Sequence, residues 1–171
     1  TTPFLKMFFM NGGHGARQNG DGPGCLSFPS NVANQPIELF ENQAPLLVTE
    51  KCFVPDTAGE GKFRGGDAQR LSFKSVATMP ITMTIRHERI SYPPRGLLGG
   101  ENGAPGEDLV NGRPIPAKSR QDLQPGDVAT FQTPGGGGLH PPNQRTAAAV
   151  RGDIRRGLLS EEKALHVYGQ N

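Results

Sequence analysis

No stretch of this sequence is apolar for long enough to cross a bilayer as a helix, which takes roughly 20 residues. The longest candidate, Phe4 to Met10, is strand-sized and interrupted by Lys6, so no membrane partner is expected. Cysteine is nearly absent. Cys25 and Cys52 stand far apart, neither in a paired-ligand spacing, which favours a reducing, cytoplasmic setting with both as small buried side chains. An excess of one charge is lacking too: 18 basic against 16 acidic residues leave +2. That is too small and too interspersed to track phosphates, so nucleic acid is not an expected partner. Nor is there a secretory leader, because Thr1 and Thr2 are not a charged start followed by an apolar run. A chain that opens on Thr rather than Met is expected to be a processed piece or part of something longer.

Glycine and proline are plentiful instead, at 24 and 16 residues. They loosen or lock the backbone so often that long helices are improbable over most of the chain. The residues that remain predict one mainly β (α+β) domain, an antiparallel sandwich or barrel-like arrangement with long Gly/Pro-rich loops. Strands are expected at Phe4–Met10, Leu46–Val54, Leu71–Val76, Ile81–Ile85 and Val128–Thr133, where bulky or β-branched residues cluster or alternate between turn signals. Residues 93–117 read as an extended surface loop with a small hairpin at Asn111-Gly112, and Asp122–Asp127 as a tight turn. Pro36 to Phe40 reads as one helical turn. Helical pattern dominates only in Ala147–Arg156 and Ser160–Tyr168, the second with Ser160 as N-cap and Glu161 and Glu162 in its first turn. The layout is therefore a β-rich part over 1–142 and a helical extension over 143–171.

Four features could carry chemistry. Gly12-Gly-His-Gly-Ala-Arg17, followed by Asp21, forms a Gly-rich loop whose amides can face an anion and whose Arg17 can pair with carboxylate or phosphate. It is not a G-x-x-x-x-G-K-[ST] loop, so a P-loop nucleotide site is not supported, and a plain structural loop stays open as a reading. Gly135–Gly138, four in succession, is either a hinge or a place where another chain or a substrate comes close. The histidines His14, His87, His140 and His166 show no metal-ligand spacing. His87 reads as part of a charged, solvated rim and His166 as a packing or surface residue. His14, flanked by glycines, could reach a ligand and titrate near neutral pH. Glu38 and Glu41 could share a helix face, as cap chemistry or as an acid pair.

In order along the chain, several motifs resemble the C-terminal part of the hydantoinase B/oxoprolinase family. They are Gly12-Gly-His-Gly-Ala-Arg17 with Asp21-Gly22, Pro29 to Glu38 with Glu41, and Gly59-Glu-Gly-Lys-Phe-Arg-Gly-Gly66. Gly96-Leu-Leu-Gly-Gly100, Gly103-Ala-Pro-Gly106, Leu123 to Asp127, Thr133 to Gly138 and Gly157 to Gly169 continue the series. The resemblance implies a B-type subunit that works with an A-type ATP-binding subunit to open cyclic amides such as hydantoins, 5-oxoproline or lactams. A related branch implies ATP-dependent carboxylation of ketones, and a non-catalytic assembly module is the third reading. The resemblance implies that ATP and a divalent metal are bound outside this chain, the metal in the N-terminal part of the B-type subunit, leaving this chain inactive alone and with no metal site of its own. On this chain it points to His14, Arg17 and Asp21 as catalytic, and to Gly12, Gly13, Gly15, Asn31 and Glu38 as the anion-binding frame.

Overall fold

The computed structural model describes residues 3–27 and 30–169. Phe28 and Pro29, the latter in one of the family-like motifs, lie outside the described residues. A short helix α1 (Ile37–Gln43) precedes β1 (Leu46–Val54) and β2 (Ala68–Ser75). Then come β3 (Ile81–Thr84), the hairpin β4 (Glu107–Val110) and β5 (Arg113–Pro114), β6 (Arg120–Leu123) and β7 (Val128–Gln132). Helices α2 (Ala147–Arg155) and α3 (Glu161–Tyr168) close the chain. Five strands form an open antiparallel sheet in the order β1-β2-β7-β4-β5, and β3 pairs with β6 in a second, two-stranded sheet. The mainly β class is as expected. The barrel-like alternative is not, since β1 and β5 are left as sheet edges.

Period-two alternation builds the core. Leu71 and Phe73 of β2 lie opposite Phe131 and Ala129 of β7, so one face of this strand pair is apolar. Phe40 of α1 packs on that face, and Phe8 meets Phe40 edge-on at 5.0 Å between ring centres. The predicted hairpin is real. Asn111 and Gly112 both take positive φ, 50° and 73°, as a type I′ turn requires.

Several expectations are corrected. Phe4–Met10 is not a strand, because no other described segment pairs with it. β6 lies partly inside the predicted Asp122 turn, since Ile81 to Thr84 supply its partner backbone. Cys25 is half-buried and Cys52 exposed, rather than both buried. Burial still pushes the Cys25 thiol up to about 11.

Residues 55–67 and 133–140 are largely buried, and 93–106 runs beside them as a half-exposed segment, so the surface loop expected there is corrected only in part. They run on from the strand ends at Val54, Ala68, Glu107 and Gln132, which lie at one end of the sheet. There they pack backbone to backbone, with residues 12–16 as a further segment. The glycine run threads the middle. A Cβ at Gly135 would lie 1.9 Å from Thr57 O, at Gly136 1.9 Å from His14 O, at Gly137 2.1 Å from Arg95 O and at Gly138 2.2 Å from Glu60 O. Gly135 and Gly138 thus face the same segment, residues 55–67, and there is no room for any side chain. Hydrogen bonds Gly59 N to Gly136 O (2.8 Å), Gly136 N to Gly66 O (2.8 Å) and Gly138 N to Glu101 O (2.9 Å) satisfy the buried peptides. Neither reading of Gly135–Gly138 describes it: the run is packed rather than a hinge, and the backbone segments that come close belong to this chain, not to another chain or a substrate.

Candidate functional site

The loop from Asn11 to Gly24 lies along one side of this glycine bundle, and the bundle fixes its course. Gly13 N donates to Pro134 O (2.9 Å), His14 N to Pro23 O (2.9 Å), Ala16 N to Gly137 O (2.9 Å) and Gly22 N to Arg64 O (2.8 Å). Arg17 and Gly20 close a small turn through each other's backbone. The expectation that these amides are free to cradle an anion is therefore corrected for Gly13, His14, Ala16, Arg17, Gly20 and Gly22, which already donate to protein carbonyls. Gly12 and the exposed Gly15 donate to no described group.

Arg17 is exposed, and its Nε and Nη2 donate to the Asp21 carbonyl at 3.2 and 3.0 Å. This holds the guanidinium against its own turn with the remaining N–H groups directed elsewhere. His14 is half-buried, with Nδ1 3.0 Å from Gly15 O. Asp21 is differently placed from what a catalytic base needs. Arg145 Nη1 and Nη2 donate to its two carboxylate oxygens at 2.8 Å each, and the Arg64 amide adds a third bond at 2.8 Å. Burial raises the Asp21 carboxyl, but the Arg145 hydrogen bonds and the Arg64 amide outweigh it and hold the group below its ordinary range. Asn31 and Glu38, expected to support the loop, make no described side-chain contact with it. Asn31 closes a turn onto Ser27 O with φ of 53°, and Glu38 is exposed in α1. The loop is tied instead through Asn11, whose side-chain amide donates to Val32 O at 3.4 Å.

Asp21 belongs to a buried ionic cluster. Arg64 donates to both Asp67 oxygens (3.0 and 2.7 Å), to Glu60 (3.3 Å) and to Leu158 O (2.7 Å). Arg145 bridges Asp21 and Asp153, and Arg156 also reaches Asp153 (2.6 Å). Lys163 approaches Glu60 at 3.3 Å, and the Tyr168 hydroxyl donates to Glu60 at 2.5 Å. Burial pushes the Tyr168 hydroxyl up, and the Glu60 charge pushes it further. The bundle side supplies Asp21, Glu60, Asp67 and Arg64; the helical tail supplies Arg145, Arg156, Lys163 and Asp153. The two halves carry opposite excess charge, so the tail is docked by charge pairing as well as by the apolar cluster of Val150, Leu159, Ala164 and Tyr168. Sequence reasoning missed this cluster. Its partners lie as far as 124 residues apart, and only the pairs three or four residues apart, Glu60 with Arg64, Arg64 with Asp67 and Asp153 with Arg156, left a local sign.

His87 is also corrected. It is half-buried rather than solvated, with Nδ1 2.6 Å from Asp108 Oδ1, and it ties the end of β3 to β4. His140 and His166 make no contribution to the loop.

The sequence model of the hydantoinase B/oxoprolinase family matches residues 1–142. A 5-oxoprolinase of Dictyostelium discoideum is 35% identical over 134 residues, 75% of this chain and 10% of that protein. Caprolactamase subunit beta of Pseudomonas jessenii is 30% identical over 169 residues, 92% of this chain and 29% of the subunit. The crystal structure of that ATP-dependent caprolactamase superposes with a TM-score of 0.79 at 26% identity, over 94% of this chain and 29% of the matched chain. Nucleotide-free acetone carboxylase gives 0.74 at 21% identity, over 92% and 26%, a likeness of fold. This chain thus spans less than a third of each relative's length.

Proposed function

The chain belongs to the hydantoinase B/oxoprolinase family, and on that premise we propose that it is the C-terminal part of the B-type subunit of an ATP-dependent cyclic amide hydrolase. The observation that carries this is the match to caprolactamase subunit beta, which extends through bundle, sheet and helical tail alike. ATP and a divalent metal are assigned to an A-type subunit and to the rest of the B-type subunit, in a cytoplasmic complex. The sequence has no P-loop, and among the described residues no three His, Cys, Asp or Glu side chains form a group that could hold a metal ion.

Within such a complex this chain forms a rigid wall. Ring opening puts negative charge on the amide oxygen, and Arg17, held by the Asp21 carbonyl, with the free amide of the exposed Gly15, is the group set to face it. His14 stands beside them with a ring able to take or give a proton. Asp21 acts as a positioning residue, fixing the loop on Arg145 and the Arg64 amide. Alone, the chain is expected to be inactive.

The test is Arg17→Ala in the assembled complex. Turnover of a lactam or hydantoin to its amino acid is expected to fall about 100- to 1,000-fold, the usual cost of one lost oxyanion donor, with assembly intact. Normal turnover with weakened assembly would make the chain a non-catalytic assembly module. The ketone carboxylase reading draws on the acetone carboxylase fold alone; formation of a keto acid from ketone and bicarbonate, with lactams untouched, would establish it instead.

A further inference from the structure

Residues 5–10 have the burial rhythm of a strand and, among the described residues, none of its pairing, while Phe4 before them is exposed. Phe8 and Met10 turn inward onto the core, and the Lys6 ammonium reaches the Gln43 side chain. Leu5, Met7 and Phe9 turn outward, 95%, 70% and 55% exposed. Such period-two alternation belongs to extended chain. Yet no backbone group between residues 3 and 12 hydrogen-bonds to another described backbone group. Beside the segment runs an apolar groove of about 300 Å³ bordered by Met7, Phe9, Val32, Pro36 and Leu39. Exposed strand edges are normally blunted with charge or proline, and the outward row here carries neither.

We propose that residues 4–10 are a strand whose partner is a β-strand from the remainder of the B-type subunit, with apolar residues on the same face as Leu5, Met7 and Phe9. This rests on the B-type subunit reading above. Most of a B-type relative's length lies outside the part this chain matches, and on that reading the rest of the subunit is the polypeptide at hand to pack against it. An unpaired backbone with a charge-free outer row suits a strand joining edge to edge: main-chain bonds give the pairing, and alternate side chains give the register.

Mixing this chain with Pseudomonas jessenii caprolactamase subunit beta that lacks the matching C-terminal part tests it. A complex is expected in which amides of residues 4–10 become protected from hydrogen exchange at alternate positions. Met7→Asp with Phe9→Asp is expected to weaken it at least about 100-fold, the worth of two buried apolar side chains. Leu165→Asp, a substitution at an exposed leucine in α3, is expected to leave it unchanged. Because Met7 and Phe9 are exposed, the free double variant is expected to melt with the parent, which separates lost binding from lost folding. A complex that forms without protection of residues 4–10, and is indifferent to the double substitution, overturns the strand and leaves the subunit reading standing. Absence of any complex overturns the subunit reading. Self-association of the free chain that the double substitution abolishes assigns the face to a second copy and overturns the proposal.

Discussion

Two glycines separate what packing demands from what propensity demands. Gly136 sits where a Cβ would fall 1.9 Å from His14 O, whereas Gly152, inside α2, has nothing within 4 Å. Gly136→Ala must push a backbone segment aside and is expected to cost at least about 3 kcal/mol or to prevent folding. Gly152→Ala removes only unfolded-chain freedom and is expected to add about 0.5–1 kcal/mol. Thermal melts of both followed by circular dichroism check the pair; a tolerated Gly136→Ala would mean the bundle is looser than described. Nothing about the residue type distinguished these positions in advance. At Cys25, burial that lifts the thiol to about 11 keeps it largely protonated at neutral pH. Its alkylation is expected to lag behind that of exposed Cys52 and to accelerate as pH rises toward 11.

Between elements, the decisive contact is that of the helical tail with the bundle. Arg145 compensates two acids at once, so Arg145→Met leaves Asp153 buried with only Arg156 and Asp21 without its bidentate partner. Removing one member of a buried pair costs about 3–5 kcal/mol, and a loss of unfolding free energy of that size, with a lowered melting temperature, is expected. Asp21 adds a pH signature. Its folded carboxyl titrates below the ordinary value, so its contribution is complete at neutral pH and is lost as pH falls through the folded pKa. The stability gap between the parent and Asp21→Asn is therefore expected to be widest at neutral pH and to close as pH drops below about 4. Asp67 runs the other way: burial raises it despite Arg64, so its term favours the folded state as pH falls. Chemical denaturation of parent and variant across that range reads the difference. The elements themselves were visible beforehand wherever a signal is local. β1 alternates between turn residues, Asn111-Gly112 sets a hairpin, and Ser160 caps α3 by accepting from Lys163 N at 3.1 Å. β6 was obscured, because Arg120 to Leu123 has no apolar rhythm of its own and is a strand through pairing with β3.

Over the whole molecule, the family match ends at residue 142, but the stabilising contacts do not. Without residues 143–171, Glu60 and Asp67 would share Arg64 alone, and Asp21 would lose Arg145. A protein ending at Pro142 is expected to be unfolded or aggregated, as judged by circular dichroism and gel filtration. A cooperative melt near that of the full chain would show instead that the tail is dispensable.

What the sequence determined by itself was everything that acts over a short window: the strands that alternate, the turn chemistry, the helix caps, and an ordered set of glycine motifs specific enough to identify the family. Tertiary structure alone decided which charges meet across 124 residues, that half of the amides of the Gly12–Asp21 loop already have partners, and that Asp21 holds the tail while Arg17 keeps a free edge. The reason is physical. A residue's propensity is fixed by its own covalent structure, whereas the cost of a Cβ, a bare charge or an unpaired strand depends on which distant segment arrives beside it.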